Sequence, residues 1–186
     1  TITFFSPELA ENRLVIDVRS GKFGGTVDDF TVSDMLVSSR SGGFEGSISG
    51  RMTGIPEIED TSIDAKIQNF TITSAGLSHF VTQWMREGSL DIGKFAPGTA
   101  FNINAHAKGL LNRLDIDADI RSAIGKVNGD IRLEDIITEG TQIGISGKVS
   151  TVDLNVGKVI GQKIIGETSM RATVAAKLGN DKAPLS

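Results

Sequence analysis

The sequence has no cysteine and no tyrosine, and its 186 residues include only 1 tryptophan and 4 prolines. The absence of cysteine excludes disulfides, thiolate metal sites and cysteine nucleophiles. The shortage of aromatic residues disfavours sugar-binding and nucleic-acid-binding surfaces, because these usually stack their ligands on aromatic rings. The small number of prolines excludes a disordered linker rich in proline and glycine.

The sequence also lacks a strong excess of either charge. Its formal net charge is only -4, and acidic and basic residues are interspersed. A protein that docks phosphates needs a basic stripe, and attachment to an anionic leaflet needs a polybasic cluster. Neither is present, so we expect no nucleic-acid partner. No stretch reaches the roughly 20 apolar residues that span a bilayer, and no signal peptide is visible. The strand-like opening at residues 1–5 predicts an excised fragment.

An internal repeat of roughly 80 residues organises the chain, and such a period is typical of repeat architectures. The segment 25–32 lines up with 109–116, and the match continues with small slips. The matching positions farther along are Phe44, Gly46 and Ile48 with Val127, Gly129 and Ile131, and Phe70 and Ile72 with Val152 and Leu154. We expect a first β unit at 1–98, a second at 99–179, and a tail or the start of a next unit at 180–186.

Apolar and polar residues alternate over most of both units, as in the segments 44–54, 101–108 and 113–121. Because successive side chains of a strand point to opposite faces, each segment predicts a strand with one apolar and one solvated face. Such strands belong to antiparallel sheets, and glycines within them permit bulges and bends. The pattern therefore predicts a mainly β fold, an elongated antiparallel meander of about ten to twelve strands curled into a groove.

One segment, at about 74–86, has the spacing of an amphipathic helix instead. Ser74 is the predicted N-cap, and Gly88 marks the predicted end. The polar positions lack the Lys/Arg-rich face of a membrane-surface helix, so we expect the helix to pack on the apolar face of its own sheet. The residues expected to make this contact are Leu77, Phe80, Val81, Trp84 and Met85.

Histidines offer little support for catalysis. His79 falls in the predicted helix and His106 on the polar side of a predicted strand. Neither has a serine or aspartate nearby at a spacing that suggests a nucleophile and base. We therefore predict no catalytic residues and a non-enzymatic protein.

A run of acids, Asp115, Asp117 and Asp119, has the two-residue spacing of a calcium loop. Apolar residues alternate with these acids, however, which indicates a strand rather than the sharp turn that a calcium loop needs. Arg113 and Arg121 flank the run and are expected to neutralise it across neighbouring strands. We predict no metal site and no cofactor.

The apolar face remains to be explained, because one helix of about three turns cannot cover ten strands spaced about 4.8 Å apart. A contiguous apolar patch of more than a few hundred Å² is rare on monomeric proteins. An acyl chain suits such a face, since each buried CH₂ contributes about 0.8 kcal/mol without a directional partner. The apolar register gives the candidate lining residues Phe44, Ile48, Met52, Ile63, Ile67, Ile103, Ile116, Ile120, Ile131, Ile143 and Ile145.

Parts of the chain resemble a known family. The segment 50–63, with Gly54-Ile55-Pro56-Glu57-Ile58, is similar to the G-L-P-D-I-x-x-T signature of TamB-like proteins from Bacteroides-type bacteria, and 153–162 is similar to their D-F-N-L-G-K-L-L-G segment. The resemblance implies the AsmA/TamB family, whose periplasmic, inner-membrane-anchored members form a β-taco-like groove. It further implies phospholipid as cargo moving toward the outer membrane, an outer-membrane assembly protein as partner, and no catalytic residues.

Two further interpretations stay open beside the lipid-conducting groove. One is a closed structural or adhesive β module whose apolar face is all core. The other is a scaffold that offers its sheet edges to unfolded outer-membrane strands by β-augmentation. The lipid-conducting groove is the first interpretation, the closed module the second and the scaffold the third.

Overall fold

The computed structural model describes residues 15–40, 42–55, 57, 59–78, 98–137, 143–155, 158 and 166–178. They form one sheet of 9 strands in which every strand is hydrogen-bonded to its neighbours in chain order. The strands are β1 (Asp17–Gly25), β2 (Asp29–Ser39), β3 (Phe44–Thr53), β4 (Ser62–Thr73), β5 (Ala100–Leu110), β6 (Arg113–Ser122), β7 (Gly125–Glu134), β8 (Ile143–Asn155) and β9 (Glu167–Leu178). The predicted mainly β, antiparallel meander is confirmed. The sheet is curled only loosely and is not closed into a barrel.

Strand register separates the residues into two faces. Ile67 lies opposite Ala105, Ala105 opposite Ala118, Ala118 opposite Gly129 and Gly129 opposite Val149. Because alternate residues share a face, we call the face that carries this row the apolar face. The opposite side, which carries His106 and Asp117 among others, is the polar face.

Bulges in β2, β4 and β8 keep the apolar residues of these strands on the apolar face. Ile67 and Phe70 are an odd number of positions apart, a spacing that would put them on opposite faces of a regular strand. Their partners Ala105 and Ile103 nevertheless share one face, because a bulge at Asn69 absorbs the additional residue. In all three bulges a residue with positive φ donates its backbone N–H to a side-chain oxygen of the next strand: Asp34 to Ser49 at 2.9 Å, Asn69 to Asn104 at 2.9 Å and Asp153 to Ser169 at 3.0 Å.

Equivalent hydrogen bonds recur in the two halves of the sheet. The N–H of Gly54 donates to the carbonyl of Asp28 at 2.8 Å, and the N–H of Asp135 donates to the carbonyl of Asn112 at 3.0 Å. Asp28 and Asn112 are matching positions of the sequence repeat, and Gly54 and Asp135 both have positive φ. The strands β1–β4 therefore correspond to β5–β8. The expected boundary at residues 98/99 lies between β4 and β5, which pair along their length within the same sheet.

The core lies at one end of the sheet rather than along its middle. The buried hydrophobic residues among those described come from β2–β5 and the β6–β7 turn, and Phe44 stacks on Phe70 with ring centroids 5.3 Å apart. The core residues are Val37, Phe44, Ile72, Phe101 and Ile124. Ser39 and Thr151 on the apolar face are buried as well, and the other apolar-face residues of the described strands are half-buried or exposed.

A helix begins at this same end, where residues 74–78 follow β4 directly. The sequence predicted Ser74 as the N-cap, and this prediction is wrong. The hydroxyl of Thr73 instead accepts the N–H of Gly76 at 3.1 Å. The N–H of Thr73 still donates to the carbonyl of Gly43 at 2.9 Å, so Thr73 ends the strand and caps the helix. Leu77 packs against the core. Phe80, Val81, Trp84 and Met85 lie outside the described residues.

The second unit repeats this arrangement after β8. Asn155 donates its N–H to the carbonyl of Ile124 at 2.7 Å, and its side-chain oxygen accepts the N–H of Lys158 at 2.9 Å. Lys158 is helical. In both halves of the sheet the last residue of a strand, Thr73 of β4 or Asn155 of β8, thus accepts with its side chain the backbone N–H of the residue three positions farther on.

Matching glycines at the ends of β1 and β5 give a test of this repeat. Gly25 and Gly109 have φ of 107° and 137°, and a Cβ on either would collide with a backbone carbonyl oxygen, that of Asp29 or of Arg113. We expect Gly109→Ala to lower the free energy of unfolding by about 1–3 kcal/mol, because the backbone conformation is strained for alanine. Urea denaturation followed by circular dichroism measures the change.

The control is Gly129→Ala on β7, where an added Cβ meets only the side chain of Ile131, at 3.4 Å. This variant should unfold within about 0.5 kcal/mol of the wild type. Equal loss of stability in both variants would contradict the assigned backbone geometry.

Candidate functional site

The structure places all the candidate lining residues on the apolar face. Met52 lies opposite Ile63, Ile116 lies opposite Ile131, and the even spacing within each regular strand segment puts the others on the same side. They differ in their distance from the core. Phe44 is part of the core, and Ile48, Ile103 and Ile120 pack against it. The candidates outside the core cluster are Met52, Ile63, Ile67, Ile116, Ile131, Ile143 and Ile145.

The apolar face away from the core is broad and smooth. Nine strands at about 4.8 Å spacing give a width of roughly 38 Å. In the row through the sheet centre the residues of β5, β6 and β7 are Ala105, Ala118 and Gly129. Because these residues are small, they form a shallow depression between rows that contain isoleucines. Within the described chain no second layer covers it, and its side chains are half-buried rather than enclosed.

A cavity lies over the opposite, polar face of the described sheet. It is an open trough of about 1050 Å³ lined by three consecutive residues from each strand of β4–β9. The outer two of each triplet, such as Asn104 and His106 or Asp117 and Asp119, point to the polar face, so the trough opens there. The sequence predicted a groove on the apolar side only. It missed this trough because the curvature arises from bulges and twist that alternation does not report.

A histidine–aspartate pair beside the trough is one contact that the sequence analysis missed. Nε2 of His106 lies 2.7 Å from Oδ1 of Asp64, and Nζ of Lys108 lies 3.5 Å from Oδ2 of Asp64. The hydrogen bond with His106, together with the charge interactions of Asp64 with His106 and Lys108, lowers the pKa of Asp64 below its ordinary value. The residues are 42 positions apart, so only the β4–β5 register brings them together.

Two acids of the β6 run, Asp115 and Asp119, pair with arginines, and of the two arginines that the sequence predicted only Arg121 makes such a contact. Nε of Arg132 donates to Asp115 at 2.6 Å, and Nε of Arg121 donates to Asp119 at 2.7 Å. The hydrogen bond from Arg132 lowers the pKa of Asp115. Arg113 instead lies 3.6 Å from Glu134. No group of three or more His, Asp or Glu residues in the described ranges is arranged to hold a metal ion.

Comparison of the chain with protein-family models, with curated proteins and with solved structures gives no match. None of the helices in the described part of the chain has the length and apolar character needed to cross a membrane.

The contact between His106 and Asp64 gives a prediction about pH. Because the folded-state pKa of Asp64 is lowered, its ionised form stabilises the fold at pH above the unfolded-state pKa, and this contribution is lost as the pH falls through the folded-state value. We expect His106→Ala to raise the pKa of Asp64 toward its ordinary value, since it removes the largest cause of the shift. NMR titration of the Asp64 side-chain carboxyl carbon measures it.

The control is His106→Gln, which keeps a hydrogen-bond donor near Asp64 and should retain part of the shift. An Asp64 pKa that is the same in the wild type and the alanine variant would contradict the assigned hydrogen bond.

Proposed function

We propose that the apolar face binds the acyl chains of lipids, and that the chain is part of a non-enzymatic, lipid-conducting protein of the bacterial envelope. The observation that carries the proposal is the apolar face of the open sheet, which no other described element covers. On it, rows of isoleucine, valine, alanine and glycine run across β3–β9. The resemblance of 50–63 and 153–162 to TamB-like proteins supports the same role and implies a periplasmic location, with the parent protein anchored in the inner membrane.

The energy of such binding comes from apolar surface alone. Each methylene removed from water contributes about 0.8 kcal/mol, so contact with a modest length of acyl chain gives useful affinity. Ile116 and Ile131 lie directly opposite each other on β6 and β7, and Leu114 and Leu133 follow in the next row. Since neighbouring rows have similar chemistry, an acyl chain meets no strongly preferred position and can shift along the face.

Burial favours this proposal over the closed structural module. In a closed sandwich the inward side chains of both layers are enclosed, whereas the core here is confined to Val37, Phe44, Ile72, Phe101 and Ile124 among the described residues. Large hydrophobic side chains on the outer strands are exposed, among them Phe23 at 72% and Met170 at 54%. Exposed hydrophobic side chains of this kind favour a surface that binds a ligand or partner over the enclosed core of a closed sandwich.

The test is to place one charge on the apolar face. Ala107 lies on β5 between Ala65 and Ile116, away from the core, so Ala107→Asp adds a carboxylate without removing a large side chain. We expect at least about a tenfold loss of affinity for a long-chain fluorescent fatty acid, because tenfold corresponds to about 1.4 kcal/mol and burying an unpaired charge costs more. Fluorescence titration in the absence of detergent measures it.

The matched control is Ala175→Asp, the same exchange at an exposed position on the polar face of β9. It should bind the fatty acid like the wild type, and circular dichroism should show both variants folded. Equal binding by the two variants, or no binding by the wild type, would overturn the proposal. Phospholipid that co-purifies with the wild type and is absent from Ala107→Asp would support it independently.

A further inference from the structure

We draw no further inference here: the strongest candidate, the open trough over the polar face of β4–β9, carries none, because its charged lining residues Asp117, Asp130 and Lys148 are exposed and nothing in the described structure shows which ligand or partner covers them.

Discussion

The strict alternation of side chains along hydrogen-bonded antiparallel strands is the constraint on which both surfaces of this protein depend. A slip of one residue between any two strands would move every following apolar side chain to the polar face. Ten consecutive residue pairs join β5 to β6 without a shift, from Phe101–Ser122 to Leu110–Arg113, and β6–β7 is equally regular. Strands that depart from even spacing return to register through a bulge, as β4 does at Asn69.

The bulges both keep apolar and polar side chains on separate faces and bend the sheet. Each bulged residue has positive φ, and its backbone N–H is bonded to a side chain of the next strand, as Asp153 is to Ser169. A bulge bends its strand and increases the local twist, so the sheet curls while its faces stay separate. The polar trough over β4–β9 and the open apolar face are two results of this one geometry.

Alternation in the sequence was sufficient to predict strands, turns and faces, because period-2 patterning is local. It placed Ile116 and Ile131 on one face without knowledge of their pairing, and they lie opposite each other. Contacts between distant residues were not predictable in this way. The pair of His106 and Asp64 depends on the β4–β5 register. The shift of the helix cap from Ser74 to Thr73 depends on a hydrogen bond from Thr73 to the β2–β3 turn. Both residue types can cap a helix, so composition alone does not choose between them.

The central claim of this account is that acyl chains lie on the apolar face away from the core. The most direct measurement is photo-crosslinking with a fatty acid that carries a diazirine in its tail, followed by mass spectrometric mapping of the labelled residues. The account predicts labels on apolar-face residues of β5–β8 such as Ile116, Ile131 and Ile145. Labels concentrated in the polar trough, at residues such as Asn104 or Ser150, would contradict it.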